Sequence, residues 1–225
     1  MRRPKTTAAV EFKRNAHALR EAVSHYGRNR AVFRPVKDLY LGGVISKLYA
    51  EFENYVSDSI AENLATINSR HIELAKLPRE FRSSLIHCRI NHDHFRNYYA
   101  SQNEERFLEN IDSQFDQKIF SWNGSMHYSV TNREIVRTQG YPSEDNLVAV
   151  YKRLGIRNIF SELNRELSRD TAALLRSVNS VRCGFVHDAQ NPEMGVGDFK
   201  RTINDMIVLV MAIDHVVSSL VVRIR

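Results

Sequence analysis

The feature that most constrains the fold is a long apolar repeat at the C-terminal end of the sequence. Its hydrophobic residues recur every three or four positions, the spacing of one face of an α-helix: Met206, Val210, Ile213, Val217, Leu220 and Ile224. Ile203, Ile207 and Leu209 widen this stripe. We expect Asp198 to cap the helix, and we expect burial on more than one side. The sequence therefore predicts an all-α bundle with a long apolar C-terminal helix.

Most of the remaining sequence also has helical periodicity. Further helices are predicted over residues 8–28, from Val36 onward, over 143–155 and 158–168, and from Asp170 or Thr171. The one beginning at Val36 should be central because it has a wide apolar face, made of Leu41, Val44, Ile45, Leu48, Phe52, Tyr55, Val56 and Ile60. The Gly42-Gly43 pair within it would mark close packing against a neighbour.

Residues 70–142 differ in character from the rest. We expect a divergent insertion here, within one domain that spans residues 1–225. A basic N-terminal helix (1–35) would precede it, and C-terminal helices (143–225) would follow. Two outer helices are predicted between Leu77 and Phe120. Within 121–142, a turn signal and a short alternating stretch predict a small hairpin or an extended loop.

The charge is unevenly distributed along the chain. The formal net charge is +6, with +8 over residues 1–37, −5 over 38–149, +4 over 150–182 and −1 over 183–225. Such asymmetry favours a polyanionic partner, with nucleic acid first, although a solvated basic face is the alternative. Arg28, Arg30, Arg34, Lys37 and Arg176 are the candidate RNA contacts.

Composition also bears on the compartment. The sequence has no uninterrupted apolar run of the ~18 to 20 residues that a membrane span needs, and the N-terminal segment has no apolar run typical of a signal peptide. The two cysteines, Cys88 and Cys183, lie far apart, which suits reduced thiols. We expect a cytoplasmic protein that has no membrane partner.

An arginine and a histidine near the end of the penultimate helix are the candidate catalytic pair. Leu174, Val178, Val181 and Phe185 predict the core-facing stripe of that helix. At about 100° per residue, Arg182 would flank the stripe and His187 would point almost opposite the core, roughly 140° from Arg182. Two devices would bring them together. The helix could end between Gly184 and His187, or two copies of the chain could meet at a twofold axis.

These residues carry a resemblance to a known family. Arg182 and His187, separated by four residues before a short loop and a long apolar helix, resemble the signature of the HEPN superfamily. The segment Phe52 to Tyr55, with Glu53, is similar to the acidic-aromatic pattern of the second HEPN helix. Residues 146–156 look like the lead-in found in branches linked to toxin and phage-defence loci.

The resemblance implies a homodimeric, metal-independent endoribonuclease that needs no cofactor, plausible as a toxin or a defence effector with a cognate antitoxin. His187 would take the proton of the RNA 2′-hydroxyl, and Arg182 would stabilise the charge that develops on the phosphate. Cys183 occupies the position after the arginine, where the family usually has Asn, Asp or another polar residue. Asp188 is a candidate to orient His187.

Less specific interpretations remain open at the sequence level. A catalytically inactive HEPN-like module would bind RNA, a nucleotide or a protein partner, and a purely structural helical adaptor is a third possibility. His87, His92 and His94 invite a metal-site interpretation, but their spacing is not that of a zinc site, and we expect no metal.

Overall fold

The computed structural model describes residues 5–28, 34–70, 76–89, 129–137, 142–187 and 194–224, together with residues 72, 103 and 105. Within this part of the chain there are helices and connecting segments, and no strand. The helices are α1 (Thr7–Arg28), α2 (Arg34–Ser69), α3 (Arg79–Arg89), α4 (Asn132–Val136), α5 (Glu144–Arg153), α6 (Ile159–Leu167), α7 (Thr171–His187) and α8 (Val196–Arg223). The all-α prediction is confirmed.

The long helices α1, α2 and α8 form the centre of the bundle. Each packs against the other two, and α8 also contacts α6 and α7. Aromatic rings join α1 to α2: the Phe12 ring centroid lies 6.4 Å from that of Phe52 and 6.0 Å from that of Tyr55. Helix α8 is buried around much of its circumference, which confirms the expectation drawn from its widened stripe.

Two carboxylates fix the beginning of α1 to the other central helices. Asp214 of α8, only 1% exposed, accepts hydrogen bonds from the Lys5 backbone N–H (2.5 Å) and the Thr6 hydroxyl (2.6 Å). Glu62 of α2 accepts from the Thr7 and Ala8 backbone N–H groups at 2.8 Å. The first turn of an α-helix has N–H groups without helical partners. Here tertiary contacts supply the acceptors.

By length and composition alone, α8 would also suffice to cross a membrane. Of its most apolar window, 56% is buried inside the fold. The buried Asp214 and its hydrogen bonds to the start of α1 lie in the middle of this helix. These contacts are those of a core helix, because a carboxylate facing lipid would lose its partners.

Several boundaries differ from those predicted. Gly195, not Asp198, is the N-cap of α8, and the Asp198 carboxylate reaches back to accept from the Gly195 N–H at 3.0 Å. In the segment predicted as a hairpin or loop, residues 121–128 and 138–141 lie outside the described part. Residues 132–136 form α4, so this portion is helical and not a hairpin. Of the two outer helices, α3 falls in the described part.

The helices that lead to the candidate site begin and end close to their predicted positions. Ser143 caps α5 by accepting from the Asn146 N–H at 3.3 Å, and Asn158 caps α6 by accepting from two N–H groups. Gly155, with φ of +98°, makes the turn after α5. A Cβ atom there would lie 2.5 Å from the Cβ of Pro78. Glycine is therefore required at this turn.

Candidate functional site

Helix α7 carries both residues of the predicted catalytic pair, and its start is well defined. The Asp170 carboxylate accepts from the Ala173 N–H at 2.9 Å, as an N-cap does. Asn164 of α6 accepts from both the backbone N–H (2.9 Å) and the hydroxyl (2.6 Å) of the fully buried Thr171. The predicted start at Asp170 or Thr171 is confirmed, and the rotation of α7 is fixed at this end.

The buried stripe of α7 is not the one predicted. Its most buried residues are Thr171, Ala172, Leu175 and Val178, whereas Leu174, Val181 and Phe185 are half-buried at its edge. From Leu175 and Val178 the next position at helical spacing is Arg182. The prediction that Arg182 only flanks the stripe is therefore wrong, since it continues the core-facing row.

Arg182 is accommodated on this row by an aromatic ring. Its guanidinium carbon lies over the Tyr49 ring of α2, 5.0 Å from the centroid, and the arginine side chain is half-buried. Tyr49 itself is 1% exposed. Its hydroxyl donates to the backbone carbonyl of Pro142, immediately before α5, at 3.0 Å. A cation–π contact of this kind lets an arginine enter an apolar interface.

Close approach of the two helices creates this contact. A Cβ atom on Gly42 would lie 3.1 Å from the Cβ of Phe185, so α2 and α7 come nearest where glycine removes the side chain. Gly42 thus confirms the predicted close packing, whereas Gly43 faces open space. Because Gly42 meets Phe185 and Tyr49 meets Arg182, the two helices run antiparallel.

His187 is the last residue of α7, and its side chain lies outside what the structure describes. The helix continues through Gly184 without a break. On an ideal helix the positions of Arg182 and His187 therefore stay roughly 140° apart. The helix ends at His187, within the predicted range from Gly184 to His187. Both devices stay predictions: a turn of the histidine at the end of the helix, and a second copy of the chain.

Two of the three predicted supporting residues, Glu53 and Cys183, fall in the described part of the chain. Glu53 is half-buried on α2, one turn and about 6 Å along the axis from Tyr49, on the same side of that helix. Cys183 is half-buried, and its thiol donates weakly to the Asn179 side-chain oxygen on its own helix at 3.9 Å. Asp188 lies outside the described residues.

Comparison with protein-family models shows which family the chain belongs to. A family model described as RiboL-PSP-HEPN matches residues 13–219, nearly the whole chain. The chain belongs to this HEPN family. HEPN domains are all-α, as this fold is, and the family consists of nuclease-like or RNA-related modules. No curated protein and no solved structure gives a significant match.

The candidate RNA contacts of this HEPN domain fall into two groups. Lys37 is half-buried in the first turn of α2. Arg28 is the last residue of α1 and Arg34 the first of α2, and the side chains of both lie outside the described part, as does all of Arg30. Arg176 is exposed on α7 and pairs with Glu144 of α5, with Asp170 also within 4.0 Å. A phosphate at Arg176 would therefore have to compete with two carboxylates.

The histidine-rich stretch proposed as a weak metal site is only partly visible. His87 and Cys88 lie on α3, while His92 and His94 are outside the described residues. Among the described residues, no group of three His, Cys, Asp or Glu side chains could hold a metal ion. The Cys88 thiol instead contacts the Arg137 guanidinium at 2.8 Å. The two cysteines are free thiols.

Proposed function

We propose that this HEPN domain is a cytoplasmic, metal-independent endoribonuclease that works as a homodimer. The observation that carries the proposal is the half-buried guanidinium of Arg182, held against Tyr49 near the end of α7 and five positions before His187. Membership of an RNA-related, nuclease-like family supports it. A role as a toxin or phage-defence effector, restrained by an antitoxin, is part of the same proposal.

In the proposed reaction the 2′-hydroxyl oxygen of RNA attacks the adjacent phosphorus. His187 accepts the hydroxyl proton, since an imidazole titrates near neutral pH. Arg182 stabilises the extra negative charge on the phosphate, because a guanidinium stays protonated and offers a planar set of donors. The 5′-oxygen leaves and takes up a proton. The products are a 2′,3′-cyclic phosphate and a 5′-hydroxyl, with no metal in the step.

A dimer supplies the geometry that a single α7 lacks. Two positions 140° apart on one helix face different directions, so one chain's arginine and the partner's histidine are better placed to meet. Mixing the single variants Arg182→Ala and His187→Ala tests this directly. If the site is shared between subunits, the mixed dimers recover one complete site and regain part of the activity. Failure of the mixture to regain activity contradicts a shared site.

A catalytically silent RNA-binding module is the second candidate. Two observations favour it: Arg182 packs on the core-facing side of α7, and the Cys183 thiol turns to its own helix. A thiol is a weak hydrogen-bonding group compared with the amide or carboxylate usual at that position. Such a module binds RNA with a steep salt dependence and leaves it intact.

Incubation of the purified protein with total RNA in EDTA, followed by analysis of the fragment ends, separates the two candidates. The nuclease produces 5′-hydroxyl fragments, and both Arg182→Ala and His187→Ala lower their rate of formation by at least about a hundredfold. Gly43→Ala, at an open position on α2, is the matched control and retains the activity. Intact RNA in the wild-type reaction, together with salt-dependent binding, favours the silent module.

A further inference from the structure

Tyr49 has no role in the sequence interpretation, yet its contacts connect three elements at the candidate site. Its ring lies under the guanidinium of Arg182 on α7. Its hydroxyl donates to the Pro142 carbonyl at the start of α5. Phe52, whose ring centroid is 6.3 Å away, packs edge-on against it. Tyr49 is thus fixed on several sides, and it presents a rigid surface to the arginine.

We propose that Tyr49 is the positioning residue for Arg182. This inference rests on the proposed ribonuclease function, and it adds a residue that acts only through the arginine. An unrestrained arginine has many rotamers, and fixing it costs conformational entropy. The Tyr49 ring removes part of that cost before RNA binds. Because the cation–π contact engages the face of the guanidinium, it does not itself consume the N–H donors at the edge.

The hydroxyl and the ring have separable effects. Tyr49→Phe keeps the ring and loses the hydroxyl that donates to Pro142, so we expect cleavage within about threefold of the wild type. Tyr49→Leu removes the cation–π surface and should lower kcat about tenfold, the rate equivalent of one such contact. KM should change less than kcat, because the arginine matters most in the transition state.

Tyr55 supplies matched controls on the same helix. It is also buried, its hydroxyl donates to the Val210 carbonyl at 3.3 Å, and burial raises its pKa well above the usual range. Its ring contacts Phe12 and Phe52, whereas the Arg182 guanidinium lies over the Tyr49 ring. Tyr55→Phe and Tyr55→Leu therefore remove the same groups from the core and leave the contact between Tyr49 and Arg182 in place. Per folded molecule, we expect these variants to retain wild-type cleavage.

A double-mutant cycle tests whether Tyr49 acts through the arginine. In the Arg182→Ala background, the further change Tyr49→Leu should leave the residual cleavage unchanged. An additional tenfold loss in that background would overturn the positioning role. Equal losses of cleavage rate in Tyr49→Leu and Tyr55→Leu would also overturn the positioning role, because they would indicate a general effect on the core.

A spectroscopic readout keeps the inference separate from the proposed function. In the wild-type protein, the side-chain protons of Arg182 should be shifted upfield by the Tyr49 ring current, and Tyr49→Phe should preserve that shift. An unshifted Arg182 signal refutes the contact. Because this measurement uses the wild-type protein, it holds even if Tyr49→Leu does not fold. If the shift is present but Arg182→Ala cleaves RNA normally, then the ribonuclease proposal fails and the positioning role fails with it.

Discussion

Removal of the buried carboxylate of Asp214 should destabilise the bundle more than any surface change. In Asp214→Ala, the Thr6 hydroxyl and the Lys5 N–H both lose their acceptor, and the bond from Thr6 is a buried one. A hydrogen bond to a charged group contributes about 1.5 to 3 kcal/mol. Two such bonds give an expected loss of about 3 to 6 kcal/mol in the free energy of unfolding. That is a large part of the ~5 to 15 kcal/mol of a typical domain.

Urea denaturation followed by circular dichroism measures this loss. With a slope near ~3 kcal/mol/M for a chain of this size, the urea midpoint should fall by about 1 to 2 M. Glu62→Gln is the comparison, since this carboxylate also caps α1 but its bond to the Thr7 N–H is exposed. Its expected cost is about 1 kcal/mol. A loss below ~1 kcal/mol for Asp214→Ala would refute the assignment of Asp214 as the anchor of α1.

Further substitutions test the packing around the site and its charge. Gly42→Ala should destabilise the fold by about 1 kcal/mol through overpacking against α7. Gly43→Ala meets open space and should stabilise the fold by about 0.5 kcal/mol. Thermal unfolding should therefore show shifts of the midpoint temperature in opposite directions for the two variants. Gly155→Ala should cost about 2 to 3 kcal/mol, because its positive φ strains any other residue. Glu144→Gln should free Arg176 and make the log–log salt dependence of RNA binding steeper by roughly 0.7, as measured by fluorescence anisotropy. An unchanged slope would argue against Arg176 as a phosphate contact.

The elements with strong periodicity could be predicted from the sequence. The wide stripes of α2 and α8 identified both helices as central, because a helix that is apolar over much of its surface must be surrounded. Asp170 marked the start of α7, since its side chain replaces a missing backbone partner. Gly42 indicated close packing that the structure bears out.

The orientation of Arg182 could not be predicted from the periodicity of apolar residues. The leucines at 174 and 175 are adjacent and point about 100° apart, so choosing Leu174 for the core turns the expected stripe away from the observed one. The structure buries Leu175, which brings Arg182 to the inner side. The compensating partner, Tyr49, lies 133 positions earlier in the chain. Periodicity within one helix carries no information about such a long-range contact.

Other features that the sequence did not predict also depend on contacts between distant parts of the chain. The anchoring of α1 by Asp214 joins residues more than 200 positions apart, and a polar residue within an apolar stripe gives no sign of its partner. The short helix α4 was missed because five residues are too few for a periodic signal. The division of the chain at residues 35, 70 and 142 stays a prediction, as do the roles of His187, Asp188 and Cys183.

The central claim is that Arg182 and His187 together cleave RNA. The most direct measurement is the rate at which a defined single-stranded RNA acquires 5′-hydroxyl ends in EDTA, compared among the wild type, Arg182→Ala and His187→Ala. The account predicts metal-independent cleavage by the wild type and a loss of at least about a hundredfold in each variant, the usual effect of removing a general base or a phosphate-stabilising group. Cleavage at the wild-type rate by both variants would contradict it.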